Sequence, residues 1–209
     1  NGLLLVDKPC GITSFDVVRK VRRWCGTRQV GHCGTLDPSA SGVLPVAIGT
    51  ATRLVEYLMD GDKEYLATLR FGVVTDTQDG DGLILANNPL DSLDRTSFES
   101  AATTFLGTIN QVPPMYSAPK RNGVPLYRLA RQGIDVERQP RPLRINAIEL
   151  LEFYPPSATL HLTHSKGTYI RTLCHDLGQK IGCGAHMAAL RRTRCGSFRI
   201  EACHPLEQL

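Results

Sequence analysis

Long apolar runs are missing from this 209-residue chain. No stretch approaches the roughly 18 consecutive apolar residues that a membrane-spanning helix needs. The strand-like run from Leu3 to Val6 lacks the basic front and small-residue cleavage site of a signal peptide. Both absences point to a cytoplasmic protein without a membrane partner. Closely spaced cysteine pairs are missing too: there are seven cysteines, an odd number, and no CxxC. That argues against a disulfide framework and for reduced thiols. Cys174 with His175, Cys183 with His186, and Cys203 with His204 match no standard zinc spacing, so no metal is expected. A glycine-rich nucleotide motif is also lacking, as are internal repeats, low-complexity tracts and a clear linker. One domain covering residues 1–209 is the expectation.

Charge is present, and its placement is informative. The net charge is only +4, yet basic residues gather at Arg19, Lys20, Arg22 and Arg23, between Lys120 and Arg144, and at Arg191, Arg192 and Arg194. Each cluster alone suits a solvated helix face. Three in one small chain suggest a polyanionic partner.

Periodicity outlines the elements. Residues 3–7 read as a buried strand. Ser14 suits an N-cap for a helix over 15–24, with Phe15, Val18 and Val21 on one face. Residues 26–42 form a long, glycine-punctuated loop, of the kind that commonly carries function. Apolar character returns over 43–48, and Thr50 suits the cap of a helix reaching Met59. Lys63 to Val73 alternates as a strand, with Tyr65, Ala67, Leu69 and Phe71 on one face. Thr96 to Glu99 has the form of a capping box opening a helix that Gly107 ends. A basic segment follows over 116–144, with a short helix at 126–131. Two strands over 145–153 and 158–163 meet at Pro155-Pro156. Helices are expected over 168–181 and 186–192, and a last strand over 197–202. Without regular βαβ alternation the class is α+β, with a mainly antiparallel sheet.

Within the long loop, Gly31-His-Cys-Gly-Thr-Leu-Asp-Pro38 stands out. Pro38 rigidifies Asp37 and biases it towards extended backbone. Gly31, Gly34 and Gly42 permit close approach or left-handed turns. An Asx-turn explains the local pattern equally well. Tyr65 as a core tyrosine and Arg171 as a solvent-facing helical residue are likewise the plain readings. A functional site would use them otherwise: an arginine near Asp37 keeps a carboxylate ionised, and a tyrosine stacks on a base and offers a hydroxyl.

Five segments together are more specific than any one. Lys8-Pro-Cys-Gly-Ile-Thr-Ser14, Gly31 to Pro38 with Ala40, Gly42 and Leu44, and Lys63-Glu-Tyr65 occur in that order. Tyr116-Ser-Ala-Pro-Lys120 with Gly123, Tyr127, Ala130 and Arg131, and Ser165 to Leu173 complete the series. The chain resembles, over essentially its whole length, the TruB family of tRNA pseudouridine synthases, in their bacterial stand-alone branch. The resemblance implies the pseudouridine synthase fold, a mixed and mainly antiparallel sheet flanked by helices, with an RNA-gripping insertion at about 112–144. It implies isomerisation of a flipped-out uridine, position 55 of the tRNA T loop, without a cofactor.

The same resemblance assigns roles. Asp37 matches the catalytic aspartate and Arg171 the arginine that pairs with it. Tyr65 matches the base-stacking tyrosine, a candidate for the proton step at C5. Tyr169 matches an aromatic wall of the pocket and Leu190 its apolar lining. His32 matches a histidine that packs in the opened T loop. Lys120 and Arg131 match phosphate contacts, and Lys8 lies in a substrate-binding motif. The partner implied is the tRNA T stem-loop, and the protein is expected to be a monomer. A C-terminal RNA-binding domain, usual in the family, is expected to be absent from this chain. Two rival readings are a guide-RNA-dependent enzyme of the same superfamily and a non-catalytic RNA-binding module. A zinc base deaminase does not fit, because its HxE and PCxxC elements are missing.

Overall fold

The computed structural model describes residues 1–208. In chain order its strands are β1 (Gly2–Lys8), β2 (Val30–His32), β3 (Ala40–Ile48), β4 (Lys63–Phe71), β5 (Val73–Thr75), β6 (Ile84–Asn87), β7 (Gly107–Gln111), β8 (Lys120–Arg121), β9 (Val124–Pro125), β10 (Arg141–Tyr154), β11 (Ser157–His164), β12 (Ala185–Cys195), β13 (Phe198–Arg199) and β14 (His204–Pro205). The helices are α1 (Ser14–Cys25), α2 (Val55–Leu58), α3 (Arg95–Thr103), α4 (Leu126–Arg131) and α5 (Ile170–Ile181). Among the described residues no helix is long and apolar enough to cross a membrane.

The chain gathers into two compact units. The first comprises Asn1–Leu66, His161–Lys166 and the stretch from Ala189 on; the second comprises Ala67–Leu160 and Gly167–Ala188. In the first unit the strand order is β14-β1-β3-β12-β4-β11, with β2 on β3 and β13 on β12. In the second it is β4-β11-β10-β7, accompanied by the separate hairpins β5–β6 and β8–β9. Antiparallel pairs such as β1–β3 and β7–β10 are joined by parallel pairs, β1–β14 and β3–β12. The sheet is therefore mixed, and the class is α+β as the sequence suggested.

Local chemistry explains most elements. Helix α1 opens on Thr13, whose hydroxyl accepts from the Asp16 amide while the Asp16 carboxylate accepts from the Thr13 amide. This reciprocal cap satisfies two otherwise unpaired donors. The cap thus lies one residue before Ser14, which is already helical. The buried face is Ser14, Val17, Val18 and Val21, whereas Phe15 is 54% exposed. Gly26 closes α1 in the left-handed region at φ 59°. Helix α3 is capped by Asp94 with Ser97, not by Thr96: the Asp94 carboxylate accepts from the Ser97 amide at 2.6 Å and the Ser97 hydroxyl accepts from the Asp94 amide at 3.0 Å. Strand β4 alternates as expected: Tyr65, Ala67, Leu69 and Phe71 are all buried. In the second unit Phe71 meets Phe98 edge-on at 6.1 Å, and Phe98 meets Phe153 at the same separation.

Further expectations need correction, among them the last strand over 197–202, of which only Phe198–Arg199 is extended while Ile200–Ala202 forms a 3-10 turn. The segment 186–192 is part of β12, not a helix. Its Ala, Leu and Arg residues favour a helix locally, but Leu190, Arg191 and Arg192 pair with Ala40, Ser41 and Gly42 of β3. Long-range ladder formation overrides a propensity worth only tenths of a kcal/mol per residue. Strand β1 is not buried throughout, since Leu3 is 41% exposed where the two-residue β14 gives it little cover. The expected helix from Thr50 begins as a 3-10 turn over Gly49–Leu54, and only Val55–Leu58 is α-helical.

Gly42 shows how tightly β3 and β12 meet. Its φ is +106°, and a Cβ there would lie 2.1 Å from the Arg192 carbonyl oxygen. A Gly42→Ala variant is therefore expected to lose roughly 2–4 kcal/mol of stability in urea denaturation.

Also in the first unit, Tyr65 and His164 stack with ring centroids 5.2 Å apart and planes 14° from parallel. Burial pushes the His164 imidazole down to about 4. A depressed imidazole is neutral when folded but binds a proton more readily when unfolded. Its contribution is complete above about pH 6.5, the free-imidazole value, and is lost as pH falls towards about 4. Thermal melts of wild type should show this decline, and His164→Phe should flatten it.

Candidate active site

The loop carrying Asp37 runs from β2 into β3, and its main chain is secured from several sides. The Ser14 hydroxyl, at the start of α1, donates to the Leu36 carbonyl at 3.0 Å and accepts from the Leu36 amide at 2.8 Å. The Gly11 amide donates to the Pro38 carbonyl at 2.8 Å. The Ala40 amide donates to the Asp37 carbonyl at 3.0 Å, so a backbone bond closes the turn over Pro38 and Ser39. Asp37 itself is half-buried.

Lys8, at the end of β1, is completely buried. Its ammonium donates to the carbonyls of Pro9 and Ile12 at 2.8 Å and faces that of Pro38 at 3.5 Å. Burial lowers its ordinary basicity, and the negative charge of Asp37 is among the groups opposing that shift. Lys8 and Asp37 are thus electrostatic neighbours. His32 is half-buried, and burial, then the charge of Arg192, pushes its imidazole down. Leu190 stands opposite Ala40 in the β3–β12 ladder and is half-buried.

Arg192 is the residue whose place the sequence misled. It was grouped with Arg191 and Arg194 as a basic stripe for phosphates, yet it is only 1% exposed. Its Nε donates to Val43 O at 2.7 Å, Nη2 to Gly34 O at 3.1 Å, and Nη1 towards Thr35 O at 3.5 Å and Tyr65 Oη at 3.3 Å. The flanking arginines are also engaged internally: Arg191 pairs with Asp7 at 2.7 Å and Arg194 with Glu64 at 2.7 Å. A strand places alternate residues on opposite faces, which separates Arg192 from Arg191; Arg192 and Arg194 share parity, and the carbonyls of Gly34 and Val43 decide that residue 192 is the one enclosed.

In the second unit, Arg171 begins α5 and is also buried, at 7% exposure. Its Nη2 donates to Tyr116 O at 2.7 Å and its Nη1 faces Asp79 Oδ2 at 3.4 Å. Asp79 is held by the Thr77 hydroxyl and the Asp81 amide. The Arg171 guanidinium also lies 5.9 Å from the Tyr169 ring centre. Tyr169 is fixed through its main chain: its amide donates to Gln111 Oε1 at 2.9 Å, and its carbonyl accepts from Gln111 Nε2 at 3.1 Å. Asp79 and Gln111 carried no motif signal, because each is identified only by what the fold brings beside it.

Within residues 112–144, expected from the resemblance to grip RNA, a small hairpin β8–β9 turns at Asn122 (φ 49°) and Gly123 (φ 82°). Two successive positive φ values suit a tight hairpin turn and favour Asn-Gly. Helix α4 follows at the residues expected. Lys120 and Arg131 are exposed, the latter 5.6 Å from the Tyr127 ring centre. The structure therefore gathers Lys8, His32, Asp37, Tyr65 and Leu190 in the first unit. It places Tyr169 and Arg171 together in the second unit, which also carries Lys120 and Arg131.

Residues 22–170 match the N-terminal domain of TruB family pseudouridylate synthases, and residues 171–209 match the C-terminal domain of tRNA pseudouridylate synthase B. The chain is 50% identical over 209 residues to tRNA pseudouridine synthase B of Syntrophotalea carbinolica, covering all of this chain and 68% of that protein. Identity to the Pseudomonas aeruginosa protein of the same name is 49%, with the same coverage. Among solved structures, a Cbf5-Nop10-Gar1 complex superposes at a TM-score of 0.78 with 33% identity, covering all of this chain and 53% of that one. The chain thus spans about two thirds of its bacterial relatives and about half of that structural relative. With family matches across nearly the whole sequence, the chain belongs to the TruB family of tRNA pseudouridine synthases, which are isomerases.

Proposed function

We propose that this chain isomerises a single uridine, position 55 in the tRNA T loop, with Asp37 as the nucleophile. The observation that supports this most is the half-buried Asp37, set in a loop whose main chain is tied down at Gly34, Thr35, Leu36 and Pro38. A reacting carboxylate gains from such fixation, because orientation supplies much of the advantage of an enclosed reaction. The reaction breaks the N1–C1′ bond of the nucleoside, turns the uracil and joins C5 to C1′. It needs no redox step.

Asp37 must act as the carboxylate. Burial alone raises a carboxyl's affinity for its proton, and nearby cations oppose this. Lys8 is one such cation; Arg171 fills the same role in the family resemblance. Tyr65 and Tyr169 are proposed to stack on the extruded base, which offsets a flipping cost of a few kcal/mol by roughly 1–3 kcal/mol for each stacked base. His32 and Leu190 are proposed to line the substrate side. Lys120 and Arg131, being exposed, are proposed to meet the phosphates of the T stem, so affinity falls as salt rises.

The test is to incubate the chain with an unmodified T stem-loop and with whole tRNA, then map pseudouridine by carbodiimide-blocked primer extension. One new stop at position 55 is expected with both RNAs. Activity only in the presence of a separate guide RNA would favour the guide-dependent reading instead. Asp37→Asn is expected to bind the stem-loop within a few fold of wild type yet release no tritium from 5-tritiated uridine. Arg171→Lys should turn over roughly 10–100-fold more slowly, because an ammonium cannot reproduce a guanidinium fork.

A further inference from the structure

We propose that Arg192 is a positioning residue for the isomerisation, a buried guanidinium that holds the Asp37 loop and the Tyr65 hydroxyl in one fixed frame. The inference rests on the function proposed above, and every contact that carries it lies within the first unit.

Three features separate Arg192 from an ordinary structural arginine. The first is its company. Its partners are three peptide carbonyls and one phenol, all neutral, at 2.7–3.5 Å. A buried cation without a carboxylate partner is a costly way to fill space, and an apolar side chain of similar volume commonly stabilises a core better. The second is the identity of those partners. Gly34 and Thr35 lie just before Asp37 in the loop, Val43 lies just after it on β3, and Tyr65 projects from β4. One rigid fork therefore ties both ends of the Asp37 segment to the side chain proposed to meet the base. The third is direction. Because Nη1 donates to the Tyr65 oxygen at 3.3 Å, the phenol's own hydrogen must point away from Arg192. The guanidinium also lies 6.0 Å from the Tyr65 ring centre, and His164 stacks on the same ring.

The backbone is built around this side chain. Gly42 is the residue opposite Arg192, and a Cβ there would collide with the arginine's own carbonyl. At Gly34 (φ +102°) a Cβ would come within 3.5 Å of Nη1. Both glycines let the main chain approach the arginine closely. A lysine at position 192 would carry the charge, but one point charge cannot serve Val43, Gly34 and Tyr65 at once.

The experiment compares wild type, Arg192→Lys and Arg192→Gln in single-turnover and steady-state assays on the T stem-loop, with thermal melts of each chain. Arg192→Lys is expected to keep a cooperative melt and a KM within about threefold of wild type, while kcat falls about 100-fold, the scale of a misplaced reacting group. Combined with Tyr65→Phe, the same change should cost less than about tenfold in the single-turnover rate, because the phenol end of the frame is already lost. A purely structural role would lower stability and leave kcat and that coupling unchanged. A folded Arg192→Lys with kcat within threefold of wild type overturns the proposal, as do independent effects of the two substitutions. Loss of a cooperative melt in both Arg192 variants also overturns it, by making Arg192 a folding residue. If wild type itself forms no pseudouridine in the stem-loop, the function proposed above fails first, and the two failures are thereby distinguished.

Discussion

The main chain around one aspartate is the constraint on which the first unit depends. A loop between two strands exposes carbonyls and amides that cannot all find ladder partners, and burying them unpaired costs free energy. Here the answer comes from side chains far away in sequence. The Ser14 hydroxyl serves both polar groups of Leu36, Lys8 and the Gly11 amide converge on the Pro38 carbonyl, and Arg192 reaches Gly34 and Thr35. Strand β1, helix α1 and strand β12 each supply one of these donors. The architecture of the unit and the rigidity of the loop are thus the same set of hydrogen bonds.

This explains why three cations can be buried close together. Lys8, Lys63 and Arg192 are each at most 8% exposed. Lys63 donates to the carbonyls of Met59 and Gly61 at 2.8 and 2.7 Å, much as Lys8 and Arg192 spend their donors on carbonyls. Peptide dipoles replace water around each charge, and the positive field they leave reaches the surrounding ionisable groups. Arg192 appears among the influences that lower Lys8, His32 and His164. A carboxylate in such a field stays charged more readily than burial alone would allow.

Much of this was legible in the sequence, for identifiable reasons. Strand β4 showed in its alternation because one face is buried and the other wet. Helix α4 showed in a short run between punctuating residues. The Asp37 loop showed as a break in periodicity rich in glycine. What stayed hidden depends on contacts across long sequence distances. Nothing local in 185–195 says strand; the pairing with β3 decides it. Nothing local marks Arg192 as internal, since it stands in a run of surface-like arginines. His164 precedes a recognised motif, but its stacking on Tyr65 joins residues about a hundred positions apart. Asp79 belongs to no motif, and its place is set by Arg171 near the start of α5.

The clasp between Gln111 and the main chain of Tyr169 has a bearing on residues 112–144, which follow. Gln111 is the last residue of β7, so the segment from 112 onward is rooted directly beside the aromatic residue. Both bonds use backbone atoms of Tyr169 and make no use of its ring. The start of residues 112–144 is thereby anchored to the main chain that carries Tyr169.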